Sequence, residues 1–178
     1  MKRYSYVGPE AIRKSLSPYL VRCCITSIDS FRQWSQATNQ HPDSYGLITA
    51  TFIVDLAGWM WISDRHSEHV ACAQGQDVLA AGEITFSSNE RKPELESVSN
   101  QSTGYCPEPR CWSSVSAALQ RAGISPPSGF EPCYLFRRCE RCEAINIVKD
   151  SYYVCSECES ELNRSWNFGG DTIRPSEE

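Results

Sequence analysis

Cys139-Glu140-Arg141-Cys142-Glu143-Ala144-Ile145-Asn146-Ile147-Val148-Lys149-Asp150-Ser151-Tyr152-Tyr153-Val154-Cys155-Ser156-Glu157-Cys158 holds two C-x2-C knuckles separated by twelve residues. A C-x2-C turn brings two thiolates to one metal ion while the intervening amides donate to the sulfurs. Between the knuckles, Ala144–Val148 and Tyr152–Val154 read as strands and Lys149-Asp150-Ser151 as a polar turn. The stretch predicts a hairpin that returns Cys155 and Cys158 beside Cys139 and Cys142. Four thiolates in a tetrahedron suit one zinc ion and leave no position for water, so the ion expected here is structural. Iron, or a pair of redox dithiols, are the alternatives the spacing leaves open.

The unit resembles the zinc-ribbon and rubredoxin-like family, a resemblance confined to about 30 residues around the two knuckles. Zinc ribbons often bind nucleic acid, and Arg137, Arg138 and Arg141 cluster at the first knuckle near Tyr134 and Phe136. From Tyr134 to Phe168, however, five basic residues face six acidic ones, and a zinc–tetrathiolate centre adds negative charge. A phosphate backbone needs an extended basic stripe. A protein partner is therefore expected ahead of nucleic acid.

Outward from the knuckles, Pro126-Pro127-Ser128-Gly129 is the best boundary signal in the chain. It divides an expected body, residues 1–125, from a zinc module, 130–168, with an acidic tail, 169–178, expected to be disordered. The first 40 residues read as helical: Pro9 suits a first helical position, and Ser27 is an N-cap for Ile28, Phe31 and Trp34 at helical spacing. Strands are expected at Ile48–Val54 and Trp59–Ile62, turned by Leu56-Ala57-Gly58, then within Val78–Phe86 and at Leu95–Ser99. Trp112, Val115, Leu119 and Ala122 share a helical face ending at Gly123. No internal repeat is evident. The order predicts an α+β protein: a helical N-terminus, a small antiparallel sheet with a packed helix, and an appended C-terminal zinc ribbon.

Composition agrees with an ordered, water-facing chain. It has 178 residues, 40% hydrophobic and 22% charged, with a formal net charge of −5. That excludes collagen-like and disordered classes and disfavours a phosphate-backbone binder. No apolar run approaches the ~20 residues of a membrane helix, and the polar start at Met1–Tyr6 is unlike a signal peptide. A reducing, cytoplasmic setting is expected, in which Cys23, Cys24, Cys72, Cys106, Cys111 and Cys133 stay unpaired; export as an effector without a cleaved signal stays open. Trp59 and Trp61 share one strand face, as core or as a contact patch.

Between Asp64 and Pro109 lies a second cluster. His69…Gly75…Val78…Gly82-Glu83 and Ser99-Asn100…Ser102…Tyr105…Pro107 resemble a motif pair, H-S-S…G…V…A-G-E and S-N…S-G-H-Y…P. That pair marks the core shared by plant calmodulin-binding IQ-motif proteins and C-terminal domains of bacterial polymorphic toxins. Here the first motif reads His69-Val70-Ala71, Gly104 stands in place of the second motif's histidine, and no IQ motif is present, so calmodulin is not an expected partner. The toxin resemblance implies a setting of bacterial conflict or host interaction.

By residue type, His69, Glu83 and Tyr105 could serve as general base, acid and positioning phenol. The bland reading gives His69 a buried turn, Glu83 a strand end and Tyr105 a core position. A deaminase site is disfavoured: His66-Ser67-Glu68 supplies its first half, but four residues separate Cys106 from Cys111. A second metal site would need His66, His69, Cys106 and Cys111 to converge. The expected function is a zinc-binding, non-enzymatic binding or adaptor protein. Its alternative is a toxin-like transferase or hydrolase acting on a nucleotide-like or protein substrate through the central trio.

Overall fold

In a computed structural model of the chain, which describes residues 1–88 and 92–169, the β-branched stretch Leu47–Val54 forms β2, the middle strand of an antiparallel sheet. Numbered in chain order, the elements are helix α1 (Glu10–Lys14), strand β1 (Arg22–Cys24), helix α2 (Ile28–Ala37), β2, β3 (Met60–Asp64), helix α3 (His69–Cys72), β4 (Ala80–Ser87), β5 (Leu95–Ser99), helix α4 (Trp112–Arg121), β6 (Leu135–Arg138) and β7 (Ile145–Val148). The five-stranded sheet has the order β1-β3-β2-β4-β5; β6 and β7 form a second, two-stranded sheet. The fold is mixed α+β, with the cysteine knuckles at the C-terminal end.

The register sorts the large sheet into two faces. Phe52 pairs with Ile62 and Gly82, and Ala50 with Ile84, so Ile48, Ala50, Phe52, Val54, Met60, Ile62, Ile84 and Phe86 share one side. Helix α2 lies on it, its Phe31 ring stacked on Phe86 at 4.0 Å. Ser27 caps α2 as expected, exchanging hydrogen bonds with Ser30 in a capping box. On the opposite side the buried Thr51 hydroxyl is shared between the carbonyls of Arg65 and Ser67, drawing the lead into α3 across the sheet. The β2–β3 turn is set by Asp55, whose Oδ1 accepts from the amides of Ala57 and Trp59, with Gly58 at φ 82°.

The N-terminus departs from an all-helical reading. Pro18 closes the helical stretch, α1 spans only Glu10–Lys14, and Arg22–Cys24 joins the sheet edge beside β3. Arg22 stacks on Trp61 at 4.0 Å, and Arg121 on Trp59 at 4.5 Å, so each indole carries a guanidinium. Helix α4 starts and stops as the sequence indicates: Gly123, at φ 69°, follows it, and the Ile124 amide reaches back to Leu119.

The chain divides into two compact units, Met1–Tyr134 and the residues from Leu135 onward. Residues 131–134 belong with the first: the Glu131 amide donates to Val98, and Tyr134 exchanges its amide and carbonyl with the Asn100 side chain. Of the expected tail, all but Gly169 lies outside the described residues. No helix among the described residues is long and apolar enough to cross a membrane.

Candidate metal centre

The hairpin of the second unit is not the one the spacing suggests. β7 pairs backward with β6, Leu135 opposite Val148 and Arg138 opposite Ile145, so the first knuckle is itself the hairpin turn. Tyr152 and Val154 form only isolated bridges, to Lys149 and Glu161. The downstream bridge has the same logic as the upstream hairpin. Arg138 and Ile145 flank the first knuckle; Val154 and Glu161 flank the second.

The backbone repeats in detail. The Cys139 amide donates to Ala144 and the Glu143 amide to Cys139; the Cys155 amide donates to Ser160 and the Glu159 amide to Cys155. Glu143 and Glu159 are both left-handed, at φ 63° and 59°. Shifted by sixteen residues, Cys139, Cys142, Glu143, Ala144 and Asn146 become Cys155, Cys158, Glu159, Ser160 and Leu162. The unit is thus an internal repeat, hidden in sequence because only the two cysteines and one glutamate are shared.

This repeat delivers four sulfurs to one point. The Sγ atoms of Cys139, Cys142, Cys155 and Cys158 all lie within 4.8 Å of one another, with Cys139–Cys158 at 3.5 Å and Cys142–Cys155 at 3.6 Å. A tetrahedral ion with ~2.3 Å metal–sulfur bonds sets its sulfurs ~3.8 Å apart, within that spread. All four are free thiols. Among the described residues this is the one group of three or more His, Cys, Asp or Glu side chains placed to hold a metal ion.

Electrostatics favour a cation there. Desolvation opposes a Cys155 thiolate, yet the amides of Glu157 and Cys158, the Asn146 side chain and Cys142 pull it down to about 6. Ser160, through hydroxyl and amide, holds Cys158 below the usual thiol range. At Cys142 the Ala144 amide favours ionisation, but desolvation and the three neighbouring thiols push it up to about 12. Four thiols in one place cannot all ionise without positive charge between them, and a divalent ion removes that conflict.

The arginines at the first knuckle do not form a free basic patch. Arg137 is buried, and its guanidinium donates to the carbonyls of Asn163, Phe136 and Arg164 at 3.0, 2.7 and 2.7 Å. Arg138 is half-buried and trades backbone hydrogen bonds with the Asn167 side chain, which acts as a short extra strand. Arg141 alone of the three is exposed.

In the first unit His69 and Tyr105 each hydrogen-bond a different backbone carbonyl. His69 Nε2 donates to the Gly82 carbonyl at 2.9 Å, and desolvation of the ring lowers its pKa to about 4. Tyr105 is fully buried and its hydroxyl donates to the Gln76 carbonyl at 2.7 Å; burial raises its pKa. Glu83 sits on β4 between Thr51 and Ser99, half-buried. Asn100, fully buried, ties Pro107 and Tyr134 together. A cavity of about 400 Å³ lies elsewhere, over Phe31, Arg32, His41 and Ile48. His66, His69, Cys106 and Cys111 form no ligand cluster.

Sequence reasoning missed Asn146, Ser160 and Arg137 as supports of the centre. Asn146 had a signal, a polar residue on the inward phase of a strand; Arg137 had none, because its partners are carbonyls. Comparison with protein-family models, curated proteins and solved structures finds nothing that matches this chain.

Proposed function

We propose that this chain is a zinc-binding protein whose second unit is a ribbon folded around one structural zinc ion, and that it works without catalysis, as an adaptor that docks a protein partner. One observation carries the reading: four sulfurs from two knuckles within 4.8 Å of one another. Four protein thiolates complete zinc's coordination and leave no site for a reacting water. The non-enzymatic part draws support from the central cluster, where His69 and Tyr105 spend their polar atoms on the carbonyls of Gly82 and Gln76. The setting, conflict between bacteria or with a host, follows from the toxin-domain resemblance alone.

The test is elemental analysis of the native full chain beside Cys139→Ser and Cys155→Ser. About one zinc per chain, lost in both variants, is the expected result. Iron in place of zinc would overturn the choice of metal. Zinc retained in both variants would overturn the site.

A further inference from the structure

The inward face of β7 is expected to be apolar, because Val148 packs with Cys139, Cys155 and Leu162 in the small core of the second unit. Two residues earlier the same face carries Asn146, only 5% exposed. A buried primary amide is tolerated only when its donors and acceptor are met. All are met here. Nδ2 donates to the Ala144 carbonyl at 3.0 Å and to Cys155 Sγ at 3.5 Å, while Oδ1 accepts from the Ser156 amide at 2.9 Å and lies 3.2 Å from the Ser156 hydroxyl. A backbone N–H can only donate, so Ser156 fixes the orientation, oxygen toward its amide and nitrogen toward the sulfur. One side chain on the first knuckle's strand therefore grips both the backbone and the ligand atom of the second knuckle.

The internal repeat supplies a control. Sixteen residues on, Asn146 corresponds to Leu162, which fills the equivalent inward position at 2% exposure. The fold is satisfied by leucine there, so packing does not explain an amide in the other half. What the two positions do not share is a sulfur contact: no hydrogen-bonding group on Leu162 can return the favour to Cys139.

We propose that Asn146 is the positioning residue of the metal centre, setting Cys155 in place and withdrawing charge from its sulfur through the N–H···S bond. This rests on the zinc reading above. Outer-shell hydrogen bonds of this kind fix ligand geometry and tune the metal's hold, and their loss weakens metal binding by roughly 10–100-fold.

The experiment uses the full chain with zinc or cobalt(II) as the only probes. Zinc affinity is read by chelator competition, and the sulfur-to-cobalt charge-transfer band by near-ultraviolet absorption. Asn146→Leu places the other half's residue on this face. Asn146→Asp keeps the oxygen that holds Ser156 and removes the N–H. Both variants are expected to bind zinc roughly 10–100-fold more weakly, with the cobalt band moved to lower energy because an unbonded thiolate is the better electron donor. A wild-type affinity and an unmoved band in both would overturn the proposal and leave the zinc site standing. If Asn146→Leu fails to fold, the band of Asn146→Asp decides alone. A wild-type chain that takes up neither ion overturns both readings together.

Discussion

Gly82 shows how a single atom can dictate sequence. A Cβ at this position would stand 1.9 Å from the Ser99 carbonyl oxygen and 3.0 Å from Asn100 Cα, both backbone atoms at the end of the neighbouring strand β5. Neither can move without breaking the β4–β5 ladder or the Asn100 clamp. Gly82→Ala is expected to destabilise the first unit by more than ~3 kcal/mol in urea unfolding; a loss under ~1 kcal/mol would mean that the strands can separate at little cost. The Gly82 carbonyl in turn meets His69. Its folded pKa, about 4, lies below the usual value of 6.5 because burial desolvates the ring, an effect that outweighs the opposing hydrogen bond to the Gly82 carbonyl. The neutral form is the one that folds, so this contribution is fully present above pH ~6.5 and is lost as pH falls toward 4, on the order of 3 kcal/mol in all. His69→Gln is expected to flatten unfolding free energy across that window relative to wild type. Comparing the two proteins cancels the ribbon's own acid sensitivity. Equal slopes would show that the ring is already hydrated.

At the scale of elements, what was legible followed local rules, and what was not depended on partners distant in sequence. The Ser27 cap, the Asp55–Trp59 turn and the Gly123 stop are each written within a few residues, and the structure has them. The knuckle ligands were legible for the same reason. β1 was not, since three residues become a strand only because β3 lies beside them. The direction in which β7 pairs was also hidden: Leu135–Arg138 and Tyr152–Val154 are equally strand-like, and only the knuckle geometry selects the upstream one. That geometry exacts a cost. Glu143 and Glu159 hold a left-handed backbone that glycine adopts freely and other residues adopt at a penalty of ~1 kcal/mol or more. Glu143→Gly and Glu159→Gly are expected to stabilise the ribbon by about 0.5–1 kcal/mol each, the relief exceeding glycine's entropic cost in the unfolded chain. Chelator competition would register this as zinc held a few-fold more tightly. Weaker binding in both would place the glutamate side chains among the supports of the centre.

At the scale of the molecule, the two units meet the cost of folding by different means. The first buries a conventional core, including Phe31, Phe52, Ile62, Ile84, Phe86 and Leu119, none of which depends on an ion. The second has a small core cluster of Cys139, Val148, Cys155 and Leu162, two of them members of the four-cysteine site, with Phe136, among the described residues, the one large side chain fully buried besides. So small an apolar core is a weak counterweight to the conformational entropy lost on ordering residues 135–169. A structural zinc ion contributes on the order of 10 kcal/mol in comparable small modules. Removing the ion with a strong chelator under reducing conditions is therefore expected to unfold the ribbon and leave the first unit standing. Hydrogen exchange followed peptide by peptide reads this directly. Amides of β6, β7 and both knuckles should lose protection while β2, β4 and α4 keep theirs, and restored zinc should restore the lost protection. If both units lost protection together, the first unit would depend on the metal for reasons its own core does not reveal. If the ribbon stayed protected without zinc, Arg137's three carbonyl bonds and the Asn146 bridge would be sufficient to hold it, and the ion would have to be there for something other than folding.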